Sequence, residues 1–282
     1  MLELSHDIVA LGEGPVFIHS DLLRASLFLK PSRSRLETLQ NQIQFLRDTF
    51  SGRPLWLPSF NYQFPKTHLF NVEQTPCELG PLPEYFRTDQ AEWRTFDPIF
   101  SCTGSGPLPE QGKPTQKLIA FDDSSPFAQL TRQDGTLFFY GAGFHTATFI
   151  HYLEWLVRAP FRYQKMFTGT IQTGQETLPI TYQLHVRPMT LELRYDWPRL
   201  LADLKLAGIA RCCCGDAAIG LPAEKLKSYW LEKLTEDALY FLDPTTRFRV
   251  ETKLQELGRP FVLSDFESPD TTSTEKDSSS DA

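Results

Sequence analysis

Residues 136–154 of the chain, TLFFYGAGFHTATFIHYLE, decide its fold class. The run at 136–140 is apolar and aromatic, which is typical of a buried strand. Small residues follow at 141–143, and the pattern then predicts a helix from about 146 to 157 that ends before Pro160. A strand, a turn of small residues and a helix in succession bring a helix N-terminus close to a ligand in α/β proteins. The stretch therefore predicts an α/β fold with its chemistry at this turn.

The same alternation of strands and helices extends outward on both sides of this stretch. Apolar runs predict strands at 15–19, 54–60, 117–121 and 178–195, and helical spacing of apolar residues predicts helices at 38–50 and 223–242. This order predicts an α/β/α sandwich with a mixed central sheet, built as a single domain from residues 1–264. Residues 265–282 consist mostly of Ser, Thr, Asp and Glu, which predicts a disordered acidic tail.

The composition excludes two classes of partner. The 282 residues carry a formal net charge of −7, so no basic face is expected for nucleic acid, whereas a cationic ligand is tolerated. The N-terminal residues lack the basic and apolar regions of a signal peptide. No apolar run approaches the ~20 residues that a membrane span needs. We expect a cytoplasmic protein with neither a nucleic-acid nor a membrane partner.

The cysteines predict no metal centre. There are five, an odd number, and three of them are adjacent at 212–214. Neighbouring side chains of an extended segment point to opposite faces, so they chelate a metal poorly. We interpret them as reduced structural thiols, with a metal or redox role as the rarer alternative.

The helix after the turn carries a candidate catalytic pair. Thr148, His151 and Glu154 recur at intervals of three and fall roughly on one helix face. A neutral imidazole near a helix start is available as a base, and a carboxylate one turn later can hold its tautomer and stabilise the imidazolium. By spacing alone, a structural hydrogen bond is the commoner explanation of such a pair.

A resemblance to a known family favours the catalytic explanation. Residues 148–154, TFIHYLE, resemble the T-x-x-H-x-x-E segment of the aminoglycoside 3-N-acetyltransferase family. Further blocks resemble that family in the same order: FIHS at 17–20, LPSFNY at 57–62, the stretch 80–104 with Glu84, Arg87, Arg94 and Ser101, SSPF at 124–127, and the strand after Asp134-Gly135. The resemblance covers about residues 15–160, and the agreement of several blocks in order argues against chance.

The chain departs from the family pattern at three places. Leu29-Lys30-Pro31-Ser32 stands where the family commonly has a Gly-Gly pair, and Asp21 replaces the second serine of its H-S-S turn. Both changes bear on coenzyme binding. Asp97 replaces a histidine in the R-S-x-H-P block, at a position expected to face the acceptor, which suggests an acceptor different from the 2-deoxystreptamine antibiotics.

The resemblance implies transfer of an acyl group from acyl-CoA, with acetyl-CoA as the expected co-substrate, to a primary amine of an amino sugar or aminoglycoside-like acceptor. The transfer would occur in a ternary complex, with no metal, in antibiotic resistance or in biosynthesis. The roles implied are catalysis for His151, Glu154 and Thr148, coenzyme binding for His19, Ser20, Asp21 and Ser101, and acceptor binding for Phe60, Tyr62, Glu84 and Asp97. A backbone N–H of the 141–143 turn is an alternative to Thr148 as the oxyanion donor.

Two rival functions and the assembly state stay open at this stage. One rival is a non-catalytic descendant of the family that binds a sugar or the coenzyme without turnover. The other is a hydrolase that uses the same histidine and glutamate on a thioester. A homodimer is compatible with the sequence.

Overall fold

The structure of the chain is a computed structural model that describes residues 3–107 and 116–267. Its strands, in chain order, are β1 Val16–Ser20, β2 Leu55–Pro58, β3 Leu69–Asn71, β4 Trp93–Arg94, β5 Cys102–Gly104, β6 Lys117–Ile119, β7 Thr136–Tyr140, β8 Tyr163–Thr173, β9 Glu176–Val186, β10 Arg211–Cys213 and β11 Ala218–Pro222. Its helices are α1 His6–Val9, α2 Leu22–Ala25, α3 Arg35–Thr49, α4 Phe64–Thr67, α5 Pro81–Tyr85, α6 Pro126–Arg132, α7 Phe149–Leu156, α8 Trp197–Leu206, α9 Ala223–Glu236 and α10 Pro244–Leu257.

The central sheet has seven strands in the order β10-β11-β7-β1-β2-β5-β4. Its middle strands β7, β1 and β2 run parallel, and the strands on either side pair antiparallel. Because parallel strands end at the same edge, Ser20 and Tyr140 come side by side. The mixed central sheet that the sequence predicts is confirmed, and its carboxyl edge gathers the ends of β1, β2 and β7.

Helices cover both faces of this sheet. The side chains of β1 alternate: Val16 and Ile18 pack into the core beneath α3, and Phe17 packs into the core beneath α6, α7 and α9. Successive residues of a strand point to opposite faces, so a strand that is apolar at every position needs a helix layer on each side. The α/β/α sandwich is therefore confirmed.

A second sheet has four strands in the order β3-β8-β9-β6, and most of its buried apolar residues share the core cluster of Phe17. Its centre is the long hairpin of β8 and β9, paired antiparallel from Tyr163 with Val186 to Thr173 with Glu176. The sequence predicts strands in this region but no separate sheet. Strand β6 was expected as part of the sandwich and instead pairs with β9, because apolar runs identify a strand and not its neighbour.

The turn after β7 brings two elements into close contact. Gly141 has φ of 72°, and a Cβ at this position would lie 2.5 Å from the carbonyl oxygen of Asp21 and 2.6 Å from the amide of Ala25. Only glycine meets both requirements, since other residues rarely adopt this backbone conformation and would clash with α2. The contact holds the start of α2 against the end of β7.

The C-terminal end of the described chain packs onto the second sheet. Phe266 stacks on Tyr163 with ring centroids 5.6 Å apart, and Glu267 accepts a hydrogen bond of 2.6 Å from the Tyr163 hydroxyl. Packing therefore continues to Glu267, beyond the expected boundary at 264, and residues 268–282 of the predicted tail lie outside the described residues. Within the described part, no helix has the length and apolar content that crossing a membrane requires.

Candidate active site

Helix α7 places His151 and Glu154 at the carboxyl edge of the central sheet. Phe149, Ile150 and Leu153 are fully buried and anchor the helix in the core. His151 lies on the opposite side, with 26% of its side chain exposed, while the Glu154 side chain is fully buried. The helix is shorter than the sequence predicts, because a 3-10 turn at Phe144–Thr146 precedes it. The apolar residues therefore fix which face of α7 opens to solvent.

Three side chains surround the buried Glu154 carboxylate and form a network of four with it. His151 Nδ1 lies 2.9 Å from Glu154 Oε2, and the Tyr195 hydroxyl donates a hydrogen bond of 2.8 Å to Oε1. Arg162 Nε lies 2.7 Å from Oε2, a distance typical of an ion pair although the N–H is not directed along it. Arg162 Nη2 donates to the Tyr195 hydroxyl over 2.7 Å and lies 2.9 Å from His151 Nδ1. The negative charge of Glu154 is thus compensated by Arg162, and its oxygens accept hydrogen bonds from protein groups in place of water.

The charges of the network keep His151 neutral and Glu154 ionised. Burial acts to raise the pKa of Glu154, but Arg162 and the hydrogen bonds from His151 and Tyr195 outweigh it, and the pKa is lowered. Burial and the charge of Arg162 lower the pKa of His151, against the opposing effect of Glu154. Nδ1 of His151 carries either a proton or a lone pair, so it cannot donate to Glu154 and accept from Arg162 at the same time. When Nδ1–H donates to Glu154, the Nε2 lone pair is free to accept a proton.

Sequence reasoning missed Arg162 and Tyr195. Neither lies on the same helix as His151, since Arg162 lies between α7 and β8 and Tyr195 precedes α8. No helical spacing therefore relates them to His151. The sequence offers one signal: Arg162 follows Phe161 and directly precedes a strand. An arginine in such apolar surroundings requires a partner when it is buried.

Two cavities meet at His151. One has a volume of about 270 Å³ and lies at the ends of β1 and β2. The other has a volume of about 610 Å³ and lies between α7, the hairpin of the second sheet and the start of α8. The residues lining both are Tyr62, His145, Thr148, His151 and Trp197. We call them the small and the large cavity. A ligand in each cavity would therefore lie beside His151.

Three of the four residues expected at the coenzyme side lie close together. His19 and Ser20 line the small cavity, and Ser20 and Asp21 line an adjoining cavity of about 460 Å³. Asp21 caps α2, accepting from the amides of Leu23 and Arg24. His19 stacks on a core phenylalanine, and burial lowers its pKa to about 3. The imidazole of His19 is thus neutral at pH 7.

The fourth residue, Ser101, serves the core. Its side chain is fully buried, donates a hydrogen bond of 2.6 Å to the carbonyl of Ser59 and accepts one of 3.1 Å from Arg94. It lines none of the cavities at His151. Ser101 therefore connects the carbonyl of Ser59 to the Arg94 side chain.

The four residues expected at the acceptor side divide into two pairs. Phe60 lines the small cavity, and Tyr62 lines both cavities. Glu84 instead forms an ion pair of 2.7 Å with Arg87 in a separate open cavity. Asp97 lines none of the cavities either. The structure brings Phe60 and Tyr62 into cavities that His151 also lines, and it leaves Glu84 and Asp97 outside them.

The carboxylate of Asp97 is occupied by its own turn and by the second sheet. It accepts from the amides of Ile99 and Phe100 at 2.9 and 2.7 Å and from the Tyr182 hydroxyl at 2.8 Å. Burial raises its pKa to about 6, against the hydrogen bonds that favour the ionised form. Asp97 therefore connects the 97–100 turn to β9, a role that its place before Pro98 allows.

The described residues contain no group of three or more histidine, cysteine or acidic side chains that could hold a metal ion. All five cysteines are free, and Cys212, Cys213 and Cys214 lie on or just after the edge strand β10.

Comparison with known proteins identifies the family. The family described as aminoglycoside 3-N-acetyltransferase matches residues 51–222, which is more than half of the chain. The chain belongs to this family. Membership makes it an N-acetyltransferase. No curated protein matches the chain in sequence.

Several solved structures share this fold. Aminoglycoside acetyltransferase AAC(3)-IVa is 20% identical with a TM-score of 0.61, and the match covers 84% of this chain and 87% of that one. AAC-IIIb, solved as a binary complex with CoASH, is 19% identical with a TM-score of 0.66, covering 82% and 94%. YokD from Bacillus subtilis is 14% identical with a TM-score of 0.61, covering 82% and 90%. At these identities the likeness establishes the fold.

Proposed function

We propose that the chain transfers an acyl group, with acetyl expected, from acyl-CoA to a primary amine of an amino sugar or aminoglycoside-like acceptor, and that His151 is the general base. The observation that carries the proposal is the position of His151 where the two cavities meet. A base between two adjoining cavities can take a proton from an amine in one while the amine attacks a thioester in the other.

The chemistry follows from the network. The acceptor ammonium gives a proton to His151 Nε2, and the free amine nitrogen then attacks the thioester carbonyl. The new N–C bond forms, the C–S bond breaks, and the nitrogen loses its second proton as the amide forms. One of the two protons ends on the thiolate sulfur and the other in solvent. Glu154 stabilises the imidazolium, because its charge is 2.9 Å from Nδ1.

Thr148 is our candidate for stabilising the tetrahedral oxyanion. It lines both cavities, and among the described residues its hydroxyl has one partner, the carbonyl of Thr146, at a long distance of 3.3 Å. A hydroxyl so weakly engaged can rotate to donate to a developing negative charge.

The small cavity and the cavity next to it suit the coenzyme. Leu79, Pro83 and Ala142 line both and provide an apolar path for a pantetheine arm. The solved complex of AAC-IIIb with CoASH supports the same co-substrate for this fold. Asp21 departs from this fit, since its carboxylate already caps α2 where a coenzyme phosphate would otherwise approach. Arg35, in a neighbouring open cavity, is a cation available to the phosphates.

The acceptor belongs in the large cavity. A histidine-to-alanine variant of AAC(3)-IVa was solved in complex with a gentamicin and also in complex with apramycin, which supports an amino sugar as the acceptor here. The free cysteines support the cytoplasm as the compartment.

The test is the replacement of His151 by alanine, with His6→Ala, an exposed histidine of α1, as the matched control. Thiol release from acetyl-CoA in the presence of an amine panel should fall roughly 10²–10⁴-fold in His151→Ala and stay unchanged in His6→Ala. Coenzyme A should still bind to His151→Ala in calorimetry. Wild-type turnover in folded His151→Ala would refute the general base, and thiol release that needs no amine would identify a hydrolase instead.

The pH profile gives a second readout. Because the pKa of His151 is lowered from its ordinary value of about 6.5, the base stays neutral down to a pH below that value. The kcat/KM for acetyl-CoA at saturating amine should therefore begin its acidic decline below about pH 6.5. A decline that begins above about pH 7 would contradict the electrostatics of the network.

A further inference from the structure

The large cavity carries more positive than negative charge. Arg162, Lys165 and Arg187 line it, and among the described lining residues Glu267 is the one carboxylate. Glu154 lies behind His151 and does not line it. The positive charge in excess disfavours an acceptor with several ammonium groups and favours one that carries an anion.

Two of the three cations already have a carboxylate, and Arg187 does not. Arg162 pairs with Glu154, and Lys165 pairs with Glu267. Arg187 donates to the backbone carbonyl of Leu193 over 3.2 Å and, within the part of the chain that the structure describes, forms no ion pair. Its side chain is exposed, so its remaining N–H groups can reach a ligand in the cavity.

The charge of Arg187 acts on the catalytic centre. It is one of the groups that lower the pKa of His151, after burial and Arg162. A ligand anion that neutralises Arg187 would thus sit within electrostatic reach of the ring that receives the proton. An acceptor needs to span only from Arg187 to His151 to make both contacts.

The same cavity already holds a carboxylate at its far end. Glu267 accepts hydrogen bonds from the Tyr163 hydroxyl and from Lys165 Nζ. The second sheet therefore supplies donors that suit an oxyanion, from β8 as well as from Arg187 at the end of β9. Aromatic side chains complete the wall, with Phe121, Phe167 and Trp197 available to pack against a sugar ring.

We propose that the acceptor is an amino sugar with a single primary amine and an anionic substituent, a phosphate or a carboxylate, which Arg187 binds while the amine faces His151. This assignment rests on the proposed function and names its substrate class. A polycationic aminoglycoside is then a poor acceptor, although it is the substrate class after which the family is named.

The test compares four acceptors and three proteins. Thiol release from acetyl-CoA is measured with glucosamine, glucosamine 6-phosphate, muramic acid and gentamicin, using wild type, Arg187→Gln and Arg47→Gln. Arg47 is an exposed arginine of α3 on the other face of the sheet, so its replacement removes the same charge far from the cavity. The phosphate and carboxylate arms distinguish the two possible anions.

Wild type should favour at least one anionic amine over glucosamine by about tenfold or more in kcat/KM, as a charge-assisted hydrogen bond provides. In Arg187→Gln the ratio of kcat/KM for the anionic amine to kcat/KM for glucosamine should fall to about one, and in Arg47→Gln the ratio should match that of wild type. Gentamicin exceeding both anionic amines would overturn the assignment. So would an anionic preference that survives in Arg187→Gln.

Calorimetric binding separates this assignment from the proposed function. Tighter binding of glucosamine 6-phosphate or muramic acid than of glucosamine, lost in Arg187→Gln, would support the anion site even in a protein that releases no thiol. Conversely, acetyl transfer that depends on His151 but favours gentamicin would uphold the transferase and refute the anionic acceptor.

Discussion

Replacing Arg162 by methionine tests whether the network at His151 rests on charge compensation. The Arg162 side chain is 6% exposed, and Glu154 is fully buried with Oε2 2.7 Å from the guanidinium Nε. Methionine keeps much of the apolar contact and removes the charge. The carboxylate is then buried without a counter-charge, a situation that typically costs about 3–5 kcal/mol. For a chain of this size that loss lowers Tm by on the order of 10 °C.

The assay is urea unfolding at pH 7 of wild type, Arg162→Met, Glu154→Gln and the double variant. Each single variant leaves one buried charge uncompensated, whereas the double variant leaves none, and the amide introduced by Glu154→Gln can still accept a hydrogen bond from the Tyr195 hydroxyl. The double variant should therefore lose less unfolding free energy than the two single variants lose together, by about 2 kcal/mol or more. Additive losses, or a loss below about 1 kcal/mol in Arg162→Met, would refute the reasoning.

The pH dependence of stability tests the direction in which Arg162 shifts the pKa of Glu154. In wild type the pKa of Glu154 is lowered, because Arg162 and its hydrogen bonds outweigh burial. Its contribution to stability is present above the unfolded pKa of about 4.3 and is lost as pH falls through the folded value. In Arg162→Met, burial raises the pKa instead, and protonation relieves the penalty as pH falls. The gap in Tm between the two proteins should narrow from about pH 7 to about pH 5, and a gap that widens would contradict this account.

Two further predictions concern backbone and side-chain roles. Gly141→Ala should lower stability by roughly 1–3 kcal/mol, measured by thermal unfolding, because its Cβ would lie 2.5 Å from a carbonyl at the start of α2, while the control Gly174→Ala, also at positive φ but with nothing within 4 Å, should cost less. Equal losses would show that the close approach to α2 is unimportant. Asp97→Asn should leave both KM values unchanged, since Asp97 lines neither cavity and asparagine can accept the same amide hydrogen bonds; a rise confined to the KM of the acceptor would return Asp97 to the acceptor side.

Local patterns in the sequence determined the sandwich and the contact between His151 and Glu154. The apolar runs of β1 and β7 predict buried strands because every position must face a helix layer, and the spacing of His151 and Glu154 predicts their contact because three residues make almost one helical turn. The predicted helix at 223–242 was less accurate, since α9 ends at Glu236 and α10 begins at Pro244. Helical spacing of apolar residues continues into the connecting turn and does not mark where the helix stops.

Tertiary structure alone decided what surrounds the pair. Arg162 and Tyr195 reach Glu154 from separate segments, 8 and 41 residues away along the chain, and no local period encodes such a meeting. The second sheet, with Lys165 and Arg187 beside the large cavity, likewise depends on how β8 and β9 pack against α7. Glu84 matches the family pattern in sequence and Asp97 departs from it, yet both carboxylates are held within their own segments, by Arg87 and by the 97–100 turn. A motif position fixes the residue type, while the packing of distant segments fixes which side chains share a cavity and which charges they experience.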